Sequence, residues 1–190
     1  MENPSSPVRL TYADLCRLPD DGLRHELIDG EHYMTAAPTQ RHQQVAMNVG
    51  GLLFMFLREH RLGRVYMAPL DVLFSEMDVV EPDVLYVSTE RLREQQHERY
   101  LTVTPDLVVE VLSPSTRHVD RGAKRALYER QGVTEYWLID PARETVQVFR
   151  LERGRLELAA DLVRQRGDAA AALSTPLLPG FRILLDDVFD

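Results

Sequence analysis

Pro105-Asp106-Leu107-Val108-Val109-Glu110-Val111-Leu112-Ser113-Pro114-Ser115-Thr116 is the stretch from which the fold is read. From Leu107 to Leu112 every residue is apolar except Glu110. Such a run implies a strand covered on both faces, as at the centre of a sheet. Ser113-Pro114-Ser115-Thr116 breaks it. The pattern then predicts a helix from about Val119 to Gln131, with Gly132 at the position after its C-terminus. Glu135-Tyr136-Trp137-Leu138-Ile139-Asp140 reads as a second buried strand, closed by Pro141. A strand, a helix and a strand over 107–139 fit a right-handed crossover between parallel strands.

Upstream, Thr11 has the character of a helix N-cap, with Asp14 three residues on as in a capping box. Pro19-Asp20-Asp21-Gly22 is a turn. Residues 25–34 read as a hairpin across Asp29-Gly30, a strong type I′ signal. The segment 38–63 holds a long helix, with Val45, Val49, Leu52, Leu53, Phe56 and Leu57 at helical spacing. Strands are expected at 65–67, at 71–74 and, as one element, at 79–87, with Pro82 near its start. Residues 89–99 suggest a charged helix or lid. Downstream, 145–151 and 155–160 form a hairpin around Arg153-Gly154, and 169–172 fall in a surface loop. Pro179-Gly180-Phe181 and Ile183-Leu184-Leu185 form an apolar ending. The expected class is α/β (α+β), a mixed sheet with helices on both faces. Residues 1–10 read as a loose N-terminus and 11–190 as one domain.

The chain has 190 residues and a net charge of −8. A protein that coats nucleic acid is usually basic, so this balance disfavours a simple binding module. An acidic metal site brings negative charge of its own, so an enzyme stays open. The single cysteine, Cys16, allows no intrachain disulfide and points to a reducing compartment. There is no apolar leader and no run near the ~18 residues a membrane span needs, so a cytoplasmic location is expected.

Glu110 needs a reason to exist. A carboxylate inside an apolar strand is costly unless it is paired or binds a metal. Asp106 lies four residues earlier and shares its face if the strand is regular. Asp83 sits in a second strand-like segment, the one over 79–87, with its own Pro-Asp start. Carboxylates converging from neighbouring strands make a hard oxygen site suited to Mg²⁺ or Mn²⁺. On the following helix, Asp120, Lys124 and Tyr128 recur every fourth residue, so Lys124 can point back to the acids. A lysine beside a metal-bound water can orient a nucleophile or offset transition-state charge. Arg117, Arg121 and Arg125 are candidate phosphate contacts, or else a solvated helix face. As the lesser alternative, Glu110 and Lys124 form a structural ion pair; Tyr128 can be a core aromatic, and His42 can cap or line the site. No zinc spacing, P-loop or GxSxG is present.

The string 105–116, followed by Asp120-Arg121, Lys124, Tyr128, Gly132-Val133, Glu135-Tyr136-Trp137 and Asp140-Pro141, closely resembles the Uma family of proposed restriction endonucleases. That family falls in the PD-(D/E)XK nuclease superfamily. The resemblance reaches back through Glu81-Pro82-Asp83 and His42 to Glu26-Leu27-Ile28-Asp29-Gly30, and forward to Leu178-Pro179-Gly180-Phe181. It implies a restriction-endonuclease-like core. It also implies Asp83 and Glu110 as metal ligands, the Val111 carbonyl as a further one, and Glu26 as an extra N-terminal acid. The triplet reads Glu110-Val111-Leu112, with leucine where the superfamily has lysine, and Lys124 is the migrated substitute. The expected function is a Mg²⁺- or Mn²⁺-dependent endonuclease acting on nucleic acid, DNA before RNA. The alternatives are a catalytically degenerate relative that binds nucleic acid or protein, and a two-carboxylate hydrolase such as a glycosidase. The apolar faces of the 45–57 helix and the C-terminal strands are where a homodimer would form.

Overall fold

The computed structural model describes residues 8–168 and 171–190. In chain order the elements are α1 (Tyr12–Leu15), β1 (Arg24–Ile28), β2 (Glu31–Thr35), α2 (Gln40–His60), β3 (Gly63–Met67), β4 (Val72–Ser75) and β5 (Asp78–Val80). Next come β6 (Val84–Ser88), α3 (Thr89–Leu92), β7 (Leu107–Val111), α4 (Arg117–Val119), a π-helical turn (Asp120–Lys124) and α5 (Arg125–Arg130). The chain ends with β8 (Glu135–Asp140), β9 (Thr145–Glu152), β10 (Arg155–Val163), β11 (Ala172–Ser174), β12 (Arg182–Leu184) and α6 (Leu185–Phe189).

β7 is buried at all five positions and sits inside a six-stranded sheet of order β10-β9-β8-β7-β6-β3. It pairs in parallel with β8 and antiparallel with β6, so the sheet is mixed. The odd residues Leu107, Val109 and Val111 pack with Val45, Val49, Leu53 and Leu57 of α2 in one apolar layer. The even residues Val108 and Leu112 join Leu127, Tyr128, Tyr136 and Leu138 in the other. Period-2 alternation on a strand covered on both sides produces this division. The second layer is closed partly by helix and partly by a four-stranded sheet of order β2-β1-β5-β4, which contributes Ile28, Val72 and Val80.

The local signals hold at most turns. Thr11 and Asp14 form the capping box, with the Thr11 N–H donating to Asp14 at 3.0 Å. Asp29 (φ 53°) and Gly30 (φ 74°) turn the first hairpin, and Arg153 (φ 51°) and Gly154 (φ 80°) the second. Those left-handed pairs match the twist of the flanking strands.

Several expectations need correction. The strand read as one element over 79–87 is two strands in different sheets, β5 and β6, separated at Glu81-Pro82-Asp83. Pro82 has no N–H for a ladder, and the chain changes sheet there. The charged 89–99 segment is helical only over Thr89–Leu92. The apolar stripe offered for a homodimer is interior, since Val45, Val49, Leu53 and Leu57 face the core, and the C-terminal Ile183, Leu185 and Phe189 lie in the same layer. Of the loose terminus 1–10, residues 1–7 lie outside the described residues, whereas the Leu10 N–H bonds the Gly30 carbonyl at 2.9 Å. Of the loop 169–172, Ala169 and Ala170 lie outside the described residues, and Ala172 opens β11. Among the described residues no helix is long and apolar enough to cross a membrane.

Gly63 marks the tightest approach in the main sheet. A Cβ there would lie 2.2 Å from the Val87 carbonyl oxygen and 2.7 Å from the Tyr86 ring. Backbone cannot yield as a side-chain end can, so Gly63→Ala is expected to cost about 1–3 kcal/mol. A urea unfolding midpoint equal to wild type would contradict this packing.

Candidate active site

Five parts of the fold meet at one end of β7. β1 places Arg24 and Glu26 on one face, two residues apart. The Pro82 break delivers Asp83 just before β6. β7 brings Glu110, and the helix beyond it brings Asp120, Lys124 and Tyr128. The first turn of α2, capped by Thr39 accepting the His42 N–H at 3.3 Å, brings His42. These residues, with the Ser113–Thr116 loop, line a cavity of roughly 200 Å³, except that Tyr128 sits behind Glu110.

The Lys124 ammonium is the hub. Nζ lies 2.8 Å from Glu26 Oε1, 3.0 Å from Glu110 Oε1 and 3.7 Å from Asp120 Oδ1. The Tyr128 hydroxyl donates to the same Glu110 oxygen at 2.7 Å. Asp83 is held separately. Its Oδ2 accepts the Val111 N–H at 2.8 Å and lies 3.2 Å from His42 Nε2, while Oδ1 accepts from Arg24 at 3.1 Å. The Nδ1 of His42 is buried and has no hydrogen-bond partner among the described residues.

A uniform α-helix would not align Asp120, Lys124 and Tyr128 well. At 3.6 residues per turn, each four-residue step overshoots a full turn by about 40°. The π-helical turn at Asp120–Lys124 winds less per residue and offsets that drift. All three side chains are therefore buried toward the acids.

Charge is unbalanced here. Glu26, Asp83, Glu110 and Asp120 face two permanent cations, Lys124 and Arg24. Burial pushes Glu110 up to about 8, against the pull of Lys124 and with Asp83 and Asp120 adding to the rise. Burial also raises Asp120. Burial works against the Asp83 anion too, but His42, Arg24 and the Val111 N–H prevail and hold it at about 2. Burial disfavours the Lys124 ammonium, yet Glu110, Glu26 and Asp120 raise it above the usual lysine range. Two adjacent carboxyls pushed in opposite directions are a mark of sites built for chemistry.

Glu26, His42, Asp83, Glu110, Val111, Asp120 and Lys124 are thus brought to one cavity, with Tyr128 behind it. Asp106 is not among them. Its carboxylate accepts the Ser88 N–H at 2.7 Å and pairs with Arg91, at the far end of β7. The three arginines face elsewhere as well. Arg117 pairs with Asp140 at 3.0 Å, Arg121 donates to Gln147 at 2.8 Å, and Arg125 bonds the Leu156 carbonyl and lies over the Phe149 ring. None of them lines the cavity. Arg24 was missed. The available signal was its position two residues before Glu26 on a short strand.

The donors are hard oxygens, as Mg²⁺ or Mn²⁺ requires. Among the described residues no three His, Cys, Asp or Glu side chains are gathered as a finished metal cage. Mg²⁺ needs none, since it commonly binds through one or two carboxylates, water and substrate phosphate. Asp83 and Glu110 on one cavity wall, with surplus negative charge around them, fit that mode.

The model of the Uma2 family, described as "Putative restriction endonuclease", matches residues 11–186. A crystal structure described as "a putative nuclease belonging to DUF820" from Anabaena variabilis ATCC 29413 has the same fold. It aligns with a TM-score of 0.77 at 19% identity, over 95% of this chain and 97% of that one. No curated protein matches the chain.

Proposed function

This chain belongs to the Uma2 family, and from that membership we propose that it hydrolyses phosphodiester bonds of nucleic acid, DNA before RNA, with Mg²⁺ or Mn²⁺. The observation that carries the reading is the Lys124 ammonium set between Glu26 and Glu110 in a cavity that Asp83 also lines. Asp83 and Glu110 would hold the metal, with the Val111 carbonyl as a further ligand. The cation supplies Lewis acidity and an activated water.

The protein's own groups do the rest. Arg24, His42 and the Val111 N–H keep Asp83 ionised and aimed. Lys124 offers positive charge to the phosphoryl oxygens as they gain charge. The N-terminus of α2, with Thr39 and His42 on the cavity wall, presents a positive dipole end suited to a phosphate. A glycosidase would have little use for this buried ammonium or that helix end.

The test is cleavage of supercoiled plasmid, single strands and RNA with Mg²⁺, Mn²⁺ or EDTA. Metal-dependent nicking is expected, and Asp83→Asn should reduce it by at least ~10²-fold. Binding without cleavage, equal in wild type and Asp83→Asn, would instead favour the degenerate binding module. Cleavage that ignores EDTA would remove the metal from the proposal.

A further inference from the structure

The two edges of the six-stranded sheet are treated differently. At β10 the edge is broken by a bulge between Leu158 and Ala160 and carries the charges of Arg155, Glu157 and Asp161. Such features protect an edge from pairing with another chain. β3, at the opposite edge, has no bulge and no proline over Gly63–Met67. Its pairing with β6 uses the even positions, because the Leu62 carbonyl accepts the Thr89 N–H and the Ala68 N–H donates to the Asp83 carbonyl. The N–H and C=O groups of Gly63, Val65 and Met67 therefore point away from the sheet. Among the described residues these groups make no hydrogen bond outside it.

Apolar surface adjoins this open edge. Phe54 of α2, beside β3, is 52% exposed. A groove lined by Phe54, Leu57, Arg58, Gly63, Arg64 and Val65 runs beside β3.

We propose that β3 is the interface through which two copies of this chain pair, edge to edge and antiparallel, about a two-fold axis at Val65. The sequence of the strand is self-complementary in that register. Val65 meets Val65 of the partner subunit, glycine at 63 meets methionine at 67, and arginine at 64 meets tyrosine at 66. Arginine against tyrosine is a favourable cross-strand pair, and glycine leaves room for the methionine opposite it. An isologous interface repeats each of them twice. The result is one continuous twelve-strand sheet with the bulged β10 edges outermost, twice the six strands of one chain. This pairing does not depend on the chemistry of the cavity.

The test combines light-scattering mass with hydrogen exchange of the 62–68 segment. Arg64 is exposed, so Arg64→Glu leaves the fold intact while removing the cation from the cross-strand pair. Wild type should have the mass of two chains. Its Gly63, Val65 and Met67 amides should exchange at least ~10-fold more slowly than in a monomeric Arg64→Glu variant. A hydrogen-bonded antiparallel pair sets Cα atoms about 5.5 Å apart, within disulfide reach. The double variant Cys16→Ser/Val65→Cys should therefore crosslink to a dimer on mild oxidation. A single-chain mass at every concentration would overturn the proposal. So would a dimer whose edge amides exchange as fast as in Arg64→Glu, since that dimer would use another face. Edge amides protected only when a peptide is added would give β3 to a different partner and overturn it equally.

Discussion

Lys124→Ala should abolish detectable cleavage and also produce the least stable single variant of the site. Its ammonium stands between Glu26, Glu110 and Asp120, all buried. Taking one member from a buried ionic cluster leaves charge without compensation, which costs about 3–5 kcal/mol. The freed acids can reduce that cost only by taking up protons. The deficit relative to wild type should therefore be wider near pH 8 than near pH 6, on the linkage between proton uptake and stability. Urea unfolding at both pH values measures it. Loss of transition-state charge stabilisation adds a rate loss of ~10²–10³-fold in whatever protein remains folded. Equal stability of variant and wild type near pH 8 would mean that the ammonium does not hold the acids together.

Glu110→Gln should show the opposite combination, with cleavage reduced by ~10³-fold and the metal-free protein stabilised at alkaline pH. The folded value of Glu110, about 8, lies above its ordinary value of 4.5. Between those values the native protein keeps a proton that the unfolded chain has released. Stability from this group is complete below about 4.5 and falls as pH rises through 8. Glutamine carries no such titration, so the variant's melting temperature should decline less from pH 5 to pH 8 than that of wild type. Asp83 acts at the other end. Its value of about 2 lies below the ordinary 3.8, so its contribution is present above 3.8 and is lost as pH falls toward 2. Parallel thermal melts of wild type and Glu110→Gln from pH 5 to pH 8 without metal decide the matter. Identical slopes would show that Glu110 is not the residue that keeps the extra proton. An inactive yet more stable variant is the expected signature of a group retained for chemistry at a cost in stability.

Much of this was legible in the sequence because the signals were local. The apolar run around Glu110 marked β7 as a central strand, and the glycine-containing turns Asp29-Gly30 and Arg153-Gly154 marked the hairpins. The four-residue spacing of Asp120, Lys124 and Tyr128 alone lets Lys124 face Glu110. What sequence could not show was which distant residue each side chain would meet. Arg117, Arg121 and Arg125 look like a phosphate-binding face in one dimension. Each instead meets a group on β8, β9 or β10, between 23 and 31 residues away for Arg117, Arg121 and Arg125 taken together. Arg24 was invisible for the same reason, since its partner Asp83 is 59 residues away. Glu26 entered through family resemblance alone. Pro82 was legible as a weak point of a strand, but not as the place where the chain leaves one sheet for another.

The wide turn between Asp120 and Lys124 also changes how sequences of this kind should be compared. A gap of one residue inside a helix is usually scored as a small misalignment on a solvated surface. Here, deleting one residue between Asp120 and Lys124 would let the helix close into ordinary i→i+4 winding without harming its backbone. The acid and the lysine would then be three positions apart and rotated relative to each other, while the composition of the motif stayed the same. A relative shortened at this point could keep every hallmark residue and the whole fold and still lack the assembled cluster. Spacing through residues 120–124 is therefore as much a part of the signature as the residues themselves.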